Sequence, residues 1–241
     1  MPNIWQPTPG TTWQIQFAGD LDTSLDVEVY DVDLFDTPQE TIDALHAAGR
    51  KVICYTSAGS SEDWRPDIAQ FPAEVLGDEL DGWPGEHWLD VRQINLLAPI
   101  MTARLDLAAA KGCDAVDPDN VDGYTNESGF PLTYDDQLAY NRWTTEQAHL
   151  RGLAVGLKND LNQVGDLVDV YDFAINEQCF NYDECEMLAP FVAANKAVFG
   201  IEYEFDEGRF INEVCPQAAA MRFSTLRKER DLNTYRLACP G

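Results

Sequence analysis

The chain has 241 residues, 45% of them apolar, and 16 basic against 42 acidic side chains give it a formal charge of −26. That charge is spread along the chain, which argues against nucleic acid or an anionic membrane as partner, and no apolar run is long enough to span a bilayer. Taken alone, such acidity needs no explanation beyond solubility or an acidic medium.

The first residues, MPNIWQPTPG, carry neither the charged nor the apolar region of a signal peptide. From there, short apolar strands alternate with amphipathic helices. The strand candidates in chain order are TWQIQF, VEVYDVDL, KVICYTSA, CDAVDPDN, LAVGLKND, FAINEQC, VFGIEYE and MRFSTL, and HWLDV adds a short extra one. One helix start combines Thr37 as cap, Pro38 in the first helical position and Glu40 as the capping-box partner, with Gly49 ending the helix. A second runs from Thr133 as cap to Gly152 as stop. Strands apolar on both faces and separated by helices indicate a parallel sheet. Eight such units in this length predict an α/β protein of the (β/α)8 TIM-barrel type, with a doubly wound sheet as the alternative. With no linker and no internal repeat, residues 1–241 read as one barrel domain.

Six cysteines in a chain of this size suggest an oxidising compartment. Cys179 with Cys185, and Cys215 with Cys239, are the disulfide candidates; Cys54 and Cys113 read equally well as buried free thiols.

In a (β/α)8 barrel the working residues sit at the C-terminal ends of the strands. Those ends carry Asp31 and Asp33, Tyr55 and Ser57, Asp117, Asp119 and Asn120, Lys158 and Asn159, Asn176 and Glu177, and Glu202 and Glu204. Side-chain alternation sharpens this. Ala115, Asp117 and Asp119 share the inward face, with Asp119 nearest the rim; Lys158 follows Ala154 and Gly156 inward, and Asp31 and Asp33 follow Val27 and Val29. In FAINEQC the parity groups Glu177 with Phe173 and Ile175, which leaves open a bulge, or Asn176 pointing inward instead.

The stretch CDAVDPDNVDGY packs four aspartates into twelve positions. A calcium loop is a poor match, because the acidic spacing is wrong and Pro118 interrupts it. Asp122 and Gly123 read as a turn pair, whereas Asp117 and Asp119 belong to the strand end. Two carboxylates facing each other across a barrel mouth suit glycoside hydrolysis, one giving a proton and the other attacking the sugar or activating water. Trp5, Trp13, Tyr55, Trp64, Trp83, Trp88, Tyr124 and Tyr203 could stack on sugar rings, although each taken singly is better explained by packing.

The stretches VEVYDVDLFDT, ALHAAGRKVICYTSAGSSEDWRPD, GEHWLDVR, KGCDAVDPDNVDGY, RGLAVGLKND and FAINEQCFNYDEC together resemble glycoside hydrolase family 114, the endo-α-1,4-polygalactosaminidases, over residues 13–204. The resemblance implies a secreted, monomeric barrel that cleaves internal bonds of a cationic galactosamine-containing polysaccharide with no metal or organic cofactor. It implies Asp119 as nucleophile and Glu177 as general acid/base in a retaining double displacement. Asp33, Tyr55, Asp117, Asn120, Tyr124, Lys158, Asn159, Glu202 and Glu204 are the expected substrate-binding set. The ammonium of free galactosamine units would then explain the acidity. The chain departs from the family at Asp117, where Glu is common, and at His87, where Arg is common. A non-catalytic polysaccharide-binding barrel and a hydrolase of another α-linked galactoside are the alternatives.

Overall fold

A computed structural model describes residues 4–240; Met1–Asn3 and Gly241, at the ends of the expected domain, lie outside the described residues. Eight parallel strands form the wall: β1 (Trp13–Gln16), β2 (Val29–Asp33), β3 (Lys51–Ser57), β7 (Ala115–Asp119), β8 (Ala154–Lys158), β9 (Phe173–Glu177), β10 (Val198–Glu202) and β11 (Ser224–Arg227). They follow one another in chain order around the sheet, and a short β12 (Leu237–Ala238) adds antiparallel to β11. This is a TIM-type barrel with a modified seam. Between β1 and β11 the Trp13 indole donates to Ser224 O at 2.9 Å, Arg236 Nη2 donates to Trp13 O at 3.0 Å, and Phe17 N donates to Leu232 O at 2.9 Å. The final segment thus closes the seam largely with side chains.

The helices are α1 (Gln39–Ala47), α2 (Ile94–Lys111), α3 (Tyr134–Leu150), α4 (Val164–Leu167), α5 (Cys179–Tyr182), α6 (Ala189–Ala193), α7 (Glu207–Arg209) and α8 (Cys215–Met221). The Thr133 side chain accepts from Asp136 N, and the Asp136 carboxylate accepts from Thr133 N in return, which makes a capping box. At α1 the expected box is absent. Pro38 stands at the cap without a side-chain bond, while Thr37 N is taken by Asp33 O. Gly49 and Gly152 end their helices at positive φ.

Between β3 and α2 the chain inserts a small antiparallel sheet of β4 (Ser60–Glu62), β5 (Leu76–Glu79) and β6 (Glu86–Leu89), in the order β4-β6-β5. The extra strand read in HWLDV is its central member. Gly59 lets this excursion leave β3, because a Cβ there would lie 1.6 Å from Asn120 O.

Alternation divides the wall into two packed layers. Trp13, Ile15, Val29, Ile53, Ala115, Ala154, Phe173, Ile175, Phe199 and Ile201 fill the barrel, and the outward residues pack against the helices. Large residues face small ones: a Cβ on Gly156 would come within 2.5 Å of the Phe173 ring. Phe173 and Ile175 are therefore inward-facing, and Glu177 follows them in without a bulge.

All six cysteines are paired, as Cys54–Cys113, Cys179–Cys185 and Cys215–Cys239. The free-thiol reading of Cys54 and Cys113 is corrected. These residues are 59 positions apart, but β3 and β7 are wall neighbours because the inserted sheet leaves the wall between them.

Candidate active site

The inward residues that end the strands meet in an open cleft of about 690 Å³ at the C-terminal rim of the barrel. At its floor the Lys158 ammonium, 3% exposed, lies 3.1 Å from Asp119 Oδ2 and 3.8 Å from Glu177 Oε2. Burial alone would lower the lysine's pKa, but the charges of Asp119, Glu177 and Asp117 raise it well above the ordinary value, so it stays a cation. Tyr55 forms one wall, with its ring centroid 5.7 Å from that ammonium and 4.5 Å from the Phe17 ring, to which it is tilted by 40°.

Each carboxylate is held from a second side. Asp119 Oδ1 accepts from Asn120 N at 2.8 Å, and Asp119 O accepts from Ala58 N and Gly59 N. Asn120, in the left-handed region at φ 61°, donates its side-chain amide to Ser60 Oγ and to Glu86 Oε1, each at 2.8 Å. Glu177 N donates to Asn159 Oδ1 at 2.9 Å, and Glu177 Oε1 accepts the Tyr203 hydroxyl. Burial, and then the charge of Glu177, pushes the Tyr203 hydroxyl far above its usual pKa, so that it remains a donor.

The cleft wall is strongly acidic. Arg65, Lys158 and Arg230 are its basic side chains among the described residues. Arg65 is consumed by Asp33 at 2.7 Å and Glu62 at 2.8 Å, and Arg230 pairs with Glu204. Lys158 is shared by Asp119 and Glu177, and Glu79, Asp81, Glu86, Asp122 and Glu127 also line the cleft. Burial raises Glu86 to about 7 and Asp122 to about 6.

The residues expected from the sequence separate into three groups. Asp119, Glu177, Lys158, Tyr55, Asn120 and Asn159 come together in the cleft. Asp33 lines it as well, but its carboxylate already takes Phe35 N, Asp36 N and both Arg65 nitrogens, leaving little to offer an ammonium. Asp117 is fully buried one layer below, beside Asp31, and no protein donor reaches either carboxylate. Burial and the neighbouring Asp117 charge push Asp31 well up, and burial raises Asp117 to about 7 against the pull of Lys158.

Three expected residues stand outside the cleft. Glu202 shares the outward parity of Val198 and is buried under α5, accepting from Phe180 N at 2.9 Å. Glu204 is spent on Arg230, and the Tyr124 hydroxyl donates to Asp160 at 3.1 Å. Among the aromatic candidates Trp64, Trp83, Trp88, Tyr55 and Tyr203 line the cleft, whereas Trp13 is core. His87 stands in β6 with Nδ1 3.2 Å from Gly77 O in β5, so its contact lies within the inserted sheet and not in a loop.

Tyr203 enters the sequence reading only as a possible sugar-stacking aromatic, and Glu86 and Arg65 do not enter it. The inward alternation of Phe199, Ile201 and Tyr203 points to the first as a cleft residue. The other two enter from the inserted sheet and its flanking loop, which no strand-end rule covers.

A TIM-type barrel with two carboxylates converging at its C-terminal rim is the architecture of a glycoside hydrolase. The chain matches the model of glycoside-hydrolase family GH114 over residues 1–241, and it belongs to that family. The structure superposes on that of Aspergillus fumigatus Ega3 in complex with galactosamine with a TM-score of 0.93 and 43% identity, covering 98% of this chain and 97% of that one. The glycoside hydrolase domain of PelA from Pseudomonas aeruginosa shares the fold at a TM-score of 0.74 and 11% identity, over 95% of this chain and 98% of that one. No curated protein matches the chain in sequence.

Proposed function

We propose that this barrel hydrolyses internal α-1,4-galactosaminidic bonds in a galactosamine-containing polysaccharide by double displacement with retention. The observation that carries the mechanism is the single ammonium of Lys158 lying between Asp119 and Glu177. Both carboxylates are within its reach. Its contacts of 3.1 and 3.8 Å hold one oxygen of each carboxylate close enough for the two to flank a single glycosidic bond.

The ammonium stands closer to Asp119, the carboxylate assigned here as the nucleophile. Glu177 is assigned as the general acid/base, and the Tyr203 hydroxyl donated to its Oε1 fixes the orientation of the carboxyl group. In the first step an Asp119 oxygen bonds to C1, the C1–O bond to the departing sugar breaks, and that oxygen takes the Glu177 proton. In the second, water gives a proton to Glu177, its oxygen bonds to C1, and the ester to Asp119 breaks. The net reaction adds one water across the glycosidic bond.

The substrate class rests on family membership, on the galactosamine bound to Ega3, and on an acidic cleft able to attract ammonium-bearing units. Three disulfides fit work in an oxidising, extracellular setting, and no helix among the described residues is long and apolar enough to cross a membrane. The test is incubation with partially deacetylated α-1,4-galactosaminogalactan, with released oligosaccharides read by mass spectrometry. Wild type is expected to release them; no release would refute the enzymatic reading and leave the binding-only alternative.

A further inference from the structure

A second cavity, of about 360 Å³, adjoins the main cleft on the Glu177 side, and the two share Asp122, Asn159, Glu177 and Gln178 as lining residues. Asp119 lines the main cleft but not this arm. The arm has no basic side chain and is lined by the carboxyl groups of Asp122, Asp160, Glu177 and Glu184, of which Asp160, raised by burial to about 8, is largely neutral near pH 7.

Its far wall is made by Tyr182, 62% exposed, and Met187, 39% exposed. Few large apolar side chains on this molecule are exposed, and Trp64 and Trp83, at 52% and 56%, line the main cleft. Four of the six exposed large apolar side chains among the described residues therefore line these two adjoining cavities. Tyr182 is also deliberately held. It ends α5, a single turn bracketed by Gln178 and Asp183 at positive φ and closed by the Cys179–Cys185 disulfide. An unpacked aromatic on a braced turn, open to solvent beside carboxylates, provides a flat apolar face flanked by acceptors, the chemistry that suits an amino-sugar ring.

We infer that the Tyr182 arm binds the sugar units on the leaving-group side of the bond to be cut, with the Tyr182 ring against one pyranose and neighbouring carboxylates facing its ammonium. The side follows from Glu177: the acid stands next to the oxygen it protonates, so the released chain departs over the acid, and the arm begins there. The Trp64–Trp83 end then holds the other part of the polymer. This inference rests on the proposed reaction and adds to it the direction in which the polymer lies.

The test compares two substrates in Tyr182→Ala and wild type: the deacetylated α-1,4-galactosamine polymer, and an aryl α-glycoside of a short galactosamine oligomer, whose leaving group is not a sugar. The ratio of kcat/KM for polymer to that for the aryl substrate is expected to fall roughly tenfold in Tyr182→Ala, the scale of one aromatic contact, and to recover in Tyr182→Phe. Met187→Ala should lower the same ratio in the same direction, and Leu150→Ala, an exposed change on α3 away from both cavities, should leave it alone. Wild type that cleaves both substrates while Tyr182→Ala and Met187→Ala leave the ratio unchanged would overturn the arm. Wild type that cleaves neither would overturn the proposed reaction and this inference with it.

Discussion

Two pairs of carboxylates stand one layer apart in the same barrel, and the protein treats them in opposite ways. Asp119 and Glu177 at the rim are half-buried, touch the Lys158 ammonium and have backbone or tyrosine donors. Asp31 and Asp117 beneath them are fully buried, meet no protein donor and are pushed upward in pKa. Neither residue type nor strand explains the difference, since Asp117 and Asp119 are neighbours on β7. What differs is access to donors and water: the rim pair has both, while burial raises the pKa of the lower pair and so favours its protonated form.

The sharpest way to break this contrast is to neutralise the rim. Asp119→Asn or Glu177→Gln is expected to lower kcat on the galactosamine polymer by roughly 10²–10⁴ with folding intact, as judged by circular dichroism. Undiminished cleavage by either would refute its role. Lys158→Met removes the cation between them, and kcat/KM is expected to fall by about 10²–10³, the scale of losing one preorganised electrostatic contact.

The lower pair predicts a pH effect on stability. A carboxyl whose folded pKa is raised binds more protons in the folded state than in the unfolded one, so its contribution is fully present below the unfolded pKa near 3.8 and is lost as pH rises through the folded value, about 7 for Asp117. Glu86 and Glu202, each raised to about 7, act in the same direction. The melting temperature should therefore fall between about pH 4 and pH 7 and level off above that. Asp117→Asn should reduce that fall by a few degrees, given about 2–4 °C per kcal/mol for a chain this size. An equal fall in the variant would show that the buried pair does not titrate as described. The smallest effect is expected at Glu202→Gln, where kcat/KM should be unchanged because the side chain faces α5 and not the cleft.

Much of this arrangement was legible in the sequence because alternation along a parallel strand is a strict rule. CDAVDPDN already separated Asp117 from Asp119 by depth, and LAVGLKND aimed Lys158 inward. The same rule applied to VFGIEYE turns Tyr203 inward with Phe199 and Ile201 and Glu202 outward with Val198, so nearness to a strand end without parity misplaces Glu202. Phe173 and Ile175 made Glu177 ambiguous only because their size hid that a barrel interior needs bulk opposite Ala154 and Gly156.

What stayed hidden depends on contacts between distant segments. Arg65 reaches Asp33 from the inserted sheet's side, converting an expected ammonium ligand into a saturated ion pair. Cys54 finds Cys113 only once the strands are ordered around the wall. Thr37 had the right neighbours for a cap, but its amide was claimed by Asp33 O in the preceding turn.

The division of labour between Asp119 and Glu177 can be read from one trapping experiment. Glu177→Gln is incubated with an α-galactosaminide bearing a dinitrophenyl leaving group, which departs without a proton, and the protein is digested and analysed by mass spectrometry. Attack should still occur while hydrolysis of the ester, lacking its base, is slow. One glycosyl unit is expected on the peptide that contains Asp119, and none when Asp119→Asn is added. An adduct on another residue, or release of the inverted anomer without any adduct, would contradict the account.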